Sequence, residues 1–260
     1  MKRFLFRILG LALPPLALFV LLIGVWWLLT TQLRIPTYLV PSPNRVAEAA
    51  WANRSALVRA TLLTGSAALA GFGCTLLLGF LTALAFSQSR LIRQSCYPYA
   101  IFLQTVPIVA IAPLIVTWFG TGFRSVVIVS TIIGLFPIIT SGTTGLLAVD
   151  PKLLELFRLY RAGRWQVLWK LRLPHAVPYL VTGARTSSGL SVIGAIVGEF
   201  FVGFSGAQGL GYLFLLTSGQ LKTDYLFAAV MASTVLGLTV FGLVNAAAAL
   251  ILRRWGGVEG

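Results

Sequence analysis

Stretches without a single Asp, Glu, Lys or Arg run from Ile8 to Leu33, Ala60 to Ser89, Gln94 to Phe123, Ser125 to Val149 and Tyr225 to Leu252. An α-helix rising about 1.5 Å per residue needs about 20 residues to cross a hydrocarbon core about 30 Å thick, and each stretch is that long. Five spans follow from length alone. A sixth is expected at about Pro178 to Gly203, because only Arg185 and Glu199 interrupt the apolar sequence between Leu173 and Leu221. Pro178 suits a helix start, where a missing N–H costs little, and by the same reasoning the ordered part of the first span is expected to begin at Pro14–Pro15. Spans near Thr61–Phe86, Cys96–Phe119 and Ser125–Gly145 are joined by the short turns SQSRLIRQ and FGTGFRS, so they should pack as antiparallel neighbours.

The segments between spans have their own pattern. PTYLVPSPNRVAEAAW, within Arg34–Ala60, reads as extended chain followed by a short helix through Trp51 capped by Asn44. GFSGAQGLGYLFLLTSGQLKTD has a Gly-rich start and an apolar segment too short to span, which predicts a short interfacial helix. The longest charged passage, DPKLLELFRLYRAGRWQVLWKLR, lies between Val149 and Arg172. In it Leu153, Leu156, Phe157 and Tyr160 fall at i, i+3, i+4 and i+7, one stripe of an amphipathic helix. A break at Gly163 and a second stripe of Trp165, Leu168 and Trp169 follow. Such a stripe lies either flat at the lipid interface or in a groove of a partner.

Composition agrees with the pattern. With 58% hydrophobic and 10% charged residues, the 260-residue chain reads as an all-α integral membrane protein of about six transmembrane helices. Its net charge of +14 is a matter of topology and not of nucleic-acid binding, since the cations sit between apolar spans. An inside N-terminus places thirteen Lys and Arg on the cytoplasmic side and six on the other, so both termini are expected in the cytoplasm. The MKRFLFR start is read as part of the first span, because the apolar stretch is long for a signal peptide and no A-x-A-like site follows. The expected organisation is 1–59 as N-terminal helix and outer-face segment, 60–252 as a five-helix core and 253–260 as a cytoplasmic tail. Cys74 and Cys96 are expected to be packing residues, and the lone His175 offers no metal site.

Polar groups inside the spans are candidates for a pathway or gate. Gln104, Pro107 and Pro113 either loosen the third span and expose carbonyls to a cavity or mark ordinary kinks. Arg185 and Glu199 lie 14 residues apart in the fifth, about 21 Å along one face of a helix; the alternatives are a structural role for Glu199 near the outer end and a snorkelling Arg185 near the inner end. Gly194 and Gly198 form a small-x-x-x-small pair suited to helix packing.

Glu155, Ala162, Gln166, Trp169, Lys170, Leu173-Pro174, Pro178 and Tyr179 stand in an order that resembles the cytoplasmic signature of ABC importer permeases. Leu156 and Phe157 replace the family's alanines, and Arg161 stands where the family usually has glycine, a role Gly163 is expected to take over. LVPSPNRV, TVPIVAIAPLIVTWFGTG, LFPIITSGTTGL and VIGAIVGEF are similar to the nitrate, sulfonate and taurine branch of type I permeases. The resemblance implies that Leu153, Glu155, Leu156, Phe157, Arg158, Tyr160, Arg161, Ala162 and Gly163 form a coupling helix for an ATPase. It also implies a homodimeric pore, two P-loop ATPase subunits and an extracytoplasmic solute-binding protein. No Gly-x-x-x-x-Gly-Lys-Ser/Thr occurs, so this chain should carry no cofactor, and ATP and magnesium should bind the partner. The implied solute is small and polar, anionic in the manner of nitrate, sulfonate, taurine or bicarbonate, with a thiamine precursor or riboflavin as the alternative. An intramembrane enzyme would need more converging acid and base groups than Glu199 supplies, and an ion-driven carrier would work without an ATPase.

Overall fold

The computed structural model describes residues 2–33, 35–202 and 208–255. Arg34, Gly203, the side chains of Lys2, Arg3, Arg7 and Arg254, and most of the 253–260 tail lie outside the described residues. Every described element is helical: α1 (Lys2–Gln32), α2 (Pro43–Ala52), α3 (Arg54–Gln88), α4 (Arg90–Thr105), α5 (Ile108–Phe119), α6 (Phe123–Leu147), α7 (Pro151–Leu159), α8 (Arg164–Val167), a π-helical turn (Leu168–Arg172), α9 (Leu173–Val202), α10 (Leu210–Gly219) and α11 (Thr223–Trp255). They form two compact units, Met1–Val58 with Leu213–Ala232, and Arg59–Tyr212 with Ser233–Gly260.

Four helical stretches are long and apolar enough to cross a membrane: Arg54–Gln88, Phe123–Leu147, Arg164–Val202 and Thr223–Arg253. The bent pair α4 and α5 raises the number to five when it is counted as one span, and the apolar part of α1, Leu16–Gln32, is shorter. Backbone chemistry moves several expected boundaries. α1 runs through Pro14–Pro15 without beginning there. Helical structure is continuous from Arg164, so Pro178 lies inside α9 and not at its start. Neighbouring helices and local adjustments let membrane helices keep such prolines. α2 starts earlier than Asn44 suggests, with Ser42 as N-cap and Pro43 in the first turn.

The expected third span is broken. α4 and α5 meet at 100°. Val106 is extended, with ψ 126°, as a residue before proline prefers, and Pro107 occupies the N-cap of α5. Gln104 and Pro107 therefore stand on either side of a sharp bend and not within one helix.

The larger unit is held together by small residues that let three helices approach closely. A Cβ on Gly194 would come within 2.7 Å of Ser130 Cα, and one on Gly198 within 3.2 Å of Val126 Cα, so α9 lies directly on the α6 backbone. Gly134 of α6 likewise faces Thr75 of α3 and Ser191 of α9. Hydroxyls of the same helices donate across the gaps: Ser130 to Ser191 O at 2.8 Å, Ser187 to Gly134 O at 2.7 Å and Thr75 to Thr131 O at 3.0 Å. With no water in a bilayer to drive apolar burial, close backbone approach and interhelical hydrogen bonds are what bind such helices. Cys74 and Cys96 are not part of this packing; both are exposed, because they fall on the outward sides of α3 and α4.

In the smaller unit, Trp26 of α1 stacks on Phe227 of α11 with ring centroids 6.0 Å apart, and Thr223 donates to Tyr38 O at 2.8 Å. Arg45, Glu48, Asn53, Gln220, Lys222 and Asp224 line a cavity of about 630 Å³ in this unit.

Candidate functional site

The loop between α6 and α9 is built for display. Asp150 caps α7, its Oδ1 accepting from Lys152 N at 2.8 Å, and Pro151 fills the first turn. At the other end Ala162 N donates to Phe157 O at 2.9 Å and Arg161 N to Arg158 O at 2.9 Å. That pair of bonds is a Schellman motif, which requires a left-handed residue between them. Arg161 takes that place with φ 51°. Gly163, with φ −69°, is extended and N-caps α8, its N–H donating to Gln166 Oε1 at 2.9 Å. The expectation that Gly163 replaces the turn glycine is thus corrected. The closing residue is fixed by where α7 ends, and Arg161 bears a left-handed backbone costing about 1–2 kcal/mol relative to an ordinary helical conformation.

The base of the loop is anchored. Leu168 is buried with Ala83, Leu146 and Ala176, and Arg172 donates to Ser87 O at 2.9 Å. The α7 face is not: Leu153, Leu156, Leu159 and Tyr160 are exposed, Leu159 and Tyr160 at 81% each, while Phe157 is half-buried. Glu155, Arg158 and Arg161 are exposed beside them and Ala162 is half-buried. The second stripe divides, since Leu168 faces the core while Trp165 and Trp169 stay exposed.

Inside α9 the two charges have different surroundings. Glu199 is buried and fully engaged: Thr64 Oγ1 lies 2.8 and 3.0 Å from its two oxygens, and Gly211 N donates to Oε2 at 2.8 Å. Leu210 N donates to Thr64 Oγ1 at 2.8 Å, so the start of α10 is tied to both α3 and α9. Side chains at Gly209 and Gly211 would collide with Glu199 and with Ile196 O, so two glycines make room for the carboxylate. Gly211 thus supplies a backbone donor to Glu199, a pairing that only the three-dimensional structure reveals. Arg185 is half-buried on the same helix, and its Nε has no hydrogen-bond partner among the described residues. His175 is exposed, with its ring 5.9 Å from that of Tyr179, and no metal-binding cluster occurs among the described residues.

Residues 75–255 match the family model described as the binding-protein-dependent transport system inner membrane component. The chain belongs to this family. It is 34% identical over 255 residues to the riboflavin transport system permease protein RibX of Chloroflexus aurantiacus, covering 97% of this chain and 92% of the relative. It is 28% identical over 256 residues to the putative aliphatic sulfonates transport permease protein SsuC of Escherichia coli, covering 98% and 93%. A chain of the MetNI methionine ABC transporter, crystallised in inward-facing conformations, shares the fold with TM-score 0.62 at 20% identity, over 76% of this chain and 95% of that one. The protein is thus a multi-pass ABC transporter permease with the type I importer fold.

Proposed function

We propose that this chain is the membrane-spanning subunit of an ATP-driven importer, pairing with a second copy to form the pathway for a small polar solute delivered by a binding protein. ATP is hydrolysed on a separate P-loop subunit, and α7 with its turn, from Leu153 to Gly163, transmits that cycle by docking into a groove of the ATPase. One observation carries the reading: Leu153, Leu156 and Tyr160 form an apolar stripe on a capped helix, and all three are exposed. Placing the loop in the cytoplasm, as the distribution of Lys and Arg favours, puts both termini on the same side. The bend at Val106–Pro107, with Gln104 and Pro107, and Arg185 in α9 are the pathway candidates.

Two supports bear on the solute. The unpartnered Nε of Arg185 favours an anion such as a sulfonate, and the similarity to RibX favours a flavin. Uptake of radiolabelled taurine and of riboflavin by proteoliposomes holding the permease, its ATPase and its binding protein separates them. Coupling is tested in the same vesicles with Glu155→Arg and Leu156→Glu. Each is expected to lower uptake at least about tenfold while insertion and dimerisation persist, and unchanged uptake in both overturns the assignment.

A further inference from the structure

We infer that Arg161 is a contact residue for the ATPase subunit, its guanidinium pairing with an acidic group at the rim of the groove that receives α7. This rests on the docking reading and adds a polar, charge-selective element to it. Three observations converge. Arg161 holds a left-handed backbone, φ 51°, at the one position of the Schellman turn where glycine would be free of strain. Its side chain is exposed at the tip of the loop beside Tyr160, next to the unpartnered stripe. The charge there is unbalanced: Lys152, Arg158, Arg161 and Arg164 stand against Asp150 and Glu155, and Asp150 lies at the far end of α7, capping it. No described residue holds the guanidinium groups of Arg158 or Arg161.

An acidic rim is the complement of that surface. A protein groove fits better than anionic lipid, since Glu155 sits among the cations; a negative lipid surface repels it, whereas a groove of mixed charge pairs it. Glycine and asparagine both suit a left-handed backbone, so replacing Arg161 with either removes the charge and leaves the turn formed.

The test uses the permease in nanodiscs and the ATPase subunit that co-purifies with it from its native membrane, stripped and rebound by titration at low and high salt. Arg161→Asn and Arg161→Gly are expected to weaken rebinding about fivefold at low salt and to flatten its salt dependence, with Arg161→Lys retaining most of the affinity. Leu156→Glu weakens rebinding at both salt concentrations. If Leu156→Glu weakens rebinding but the Arg161 variants match wild type, this inference is overturned and the docking reading stands. If Leu156→Glu itself leaves rebinding unchanged, the docking reading fails. If the Arg161 effect disappears in nanodiscs of purely zwitterionic lipid, the contact is with anionic lipid and the inference is again overturned.

Discussion

Glu199 shows how one buried charge organises its surroundings. A carboxylate in a membrane span is costly, and here the cost is offset by Thr64 Oγ1 and by the backbone N–H of Gly211. Glu199→Ala leaves the Gly211 N–H and the Thr64 hydroxyl without their acceptor, and is expected to cost about 1–3 kcal/mol. Glu199→Gln keeps an acceptor for Gly211 and should lose less. Gly211→Ala should be the most damaging of the three, because the obstructing atom includes the Ile196 carbonyl of a packed helix. Thermal unfolding of the purified protein in nanodiscs checks the ranking; equal stability of Glu199→Ala and wild type contradicts it. This node was not legible in the sequence, since Thr64 and Glu199 are 135 residues apart and nothing local marks their meeting.

At the scale of elements, glycines divide into those that set helix spacing and those that do not. Gly194 of α9 has Ser130 Cα 2.7 Å from where its Cβ would lie, whereas Gly73 of α3 has nothing within 4 Å. Gly194→Ala is expected to destabilise by about 1–3 kcal/mol through overpacking. Gly73→Ala should be neutral or stabilising by up to about 1 kcal/mol, because alanine loses less backbone entropy in a helix. Melting temperatures of the two variants in the same detergent decide the matter, and a stabilised Gly194→Ala contradicts the packing described. The charge-free runs made most spans legible, and the i, i+3, i+4, i+7 stripe made α7 legible, because both follow from local periodicity. The bend between α4 and α5 was only half legible. Pro98, Pro113, Pro137 and Pro178 also lie in apolar stretches, yet each remains within a helix, so tertiary packing and not proline alone selects Val106–Pro107 as the break. The left-handed residue of the α7 turn was misplaced for a related reason: composition pointed to Gly163, while the length of α7 put Arg161 there.

For the whole molecule, the proposed topology makes a direct prediction about access. In a variant lacking Cys74 and Cys96, a cysteine at Gln220 should react in intact cells with a membrane-impermeant maleimide, and one at Leu159 should react only after permeabilisation. The reverse pattern places the α7 loop outside and removes the basis for ATPase docking. Most directly, the central claim is tested by extracting tagged wild-type and Leu156→Glu protein gently from the native membrane and identifying what co-purifies by mass spectrometry. A P-loop ATPase is expected to accompany the wild type in stoichiometric amount and to be depleted from Leu156→Glu, with the variant still inserted and dimeric. An intact wild-type preparation that repeatedly lacks any ATPase, or a variant that retains it in full, contradicts the account.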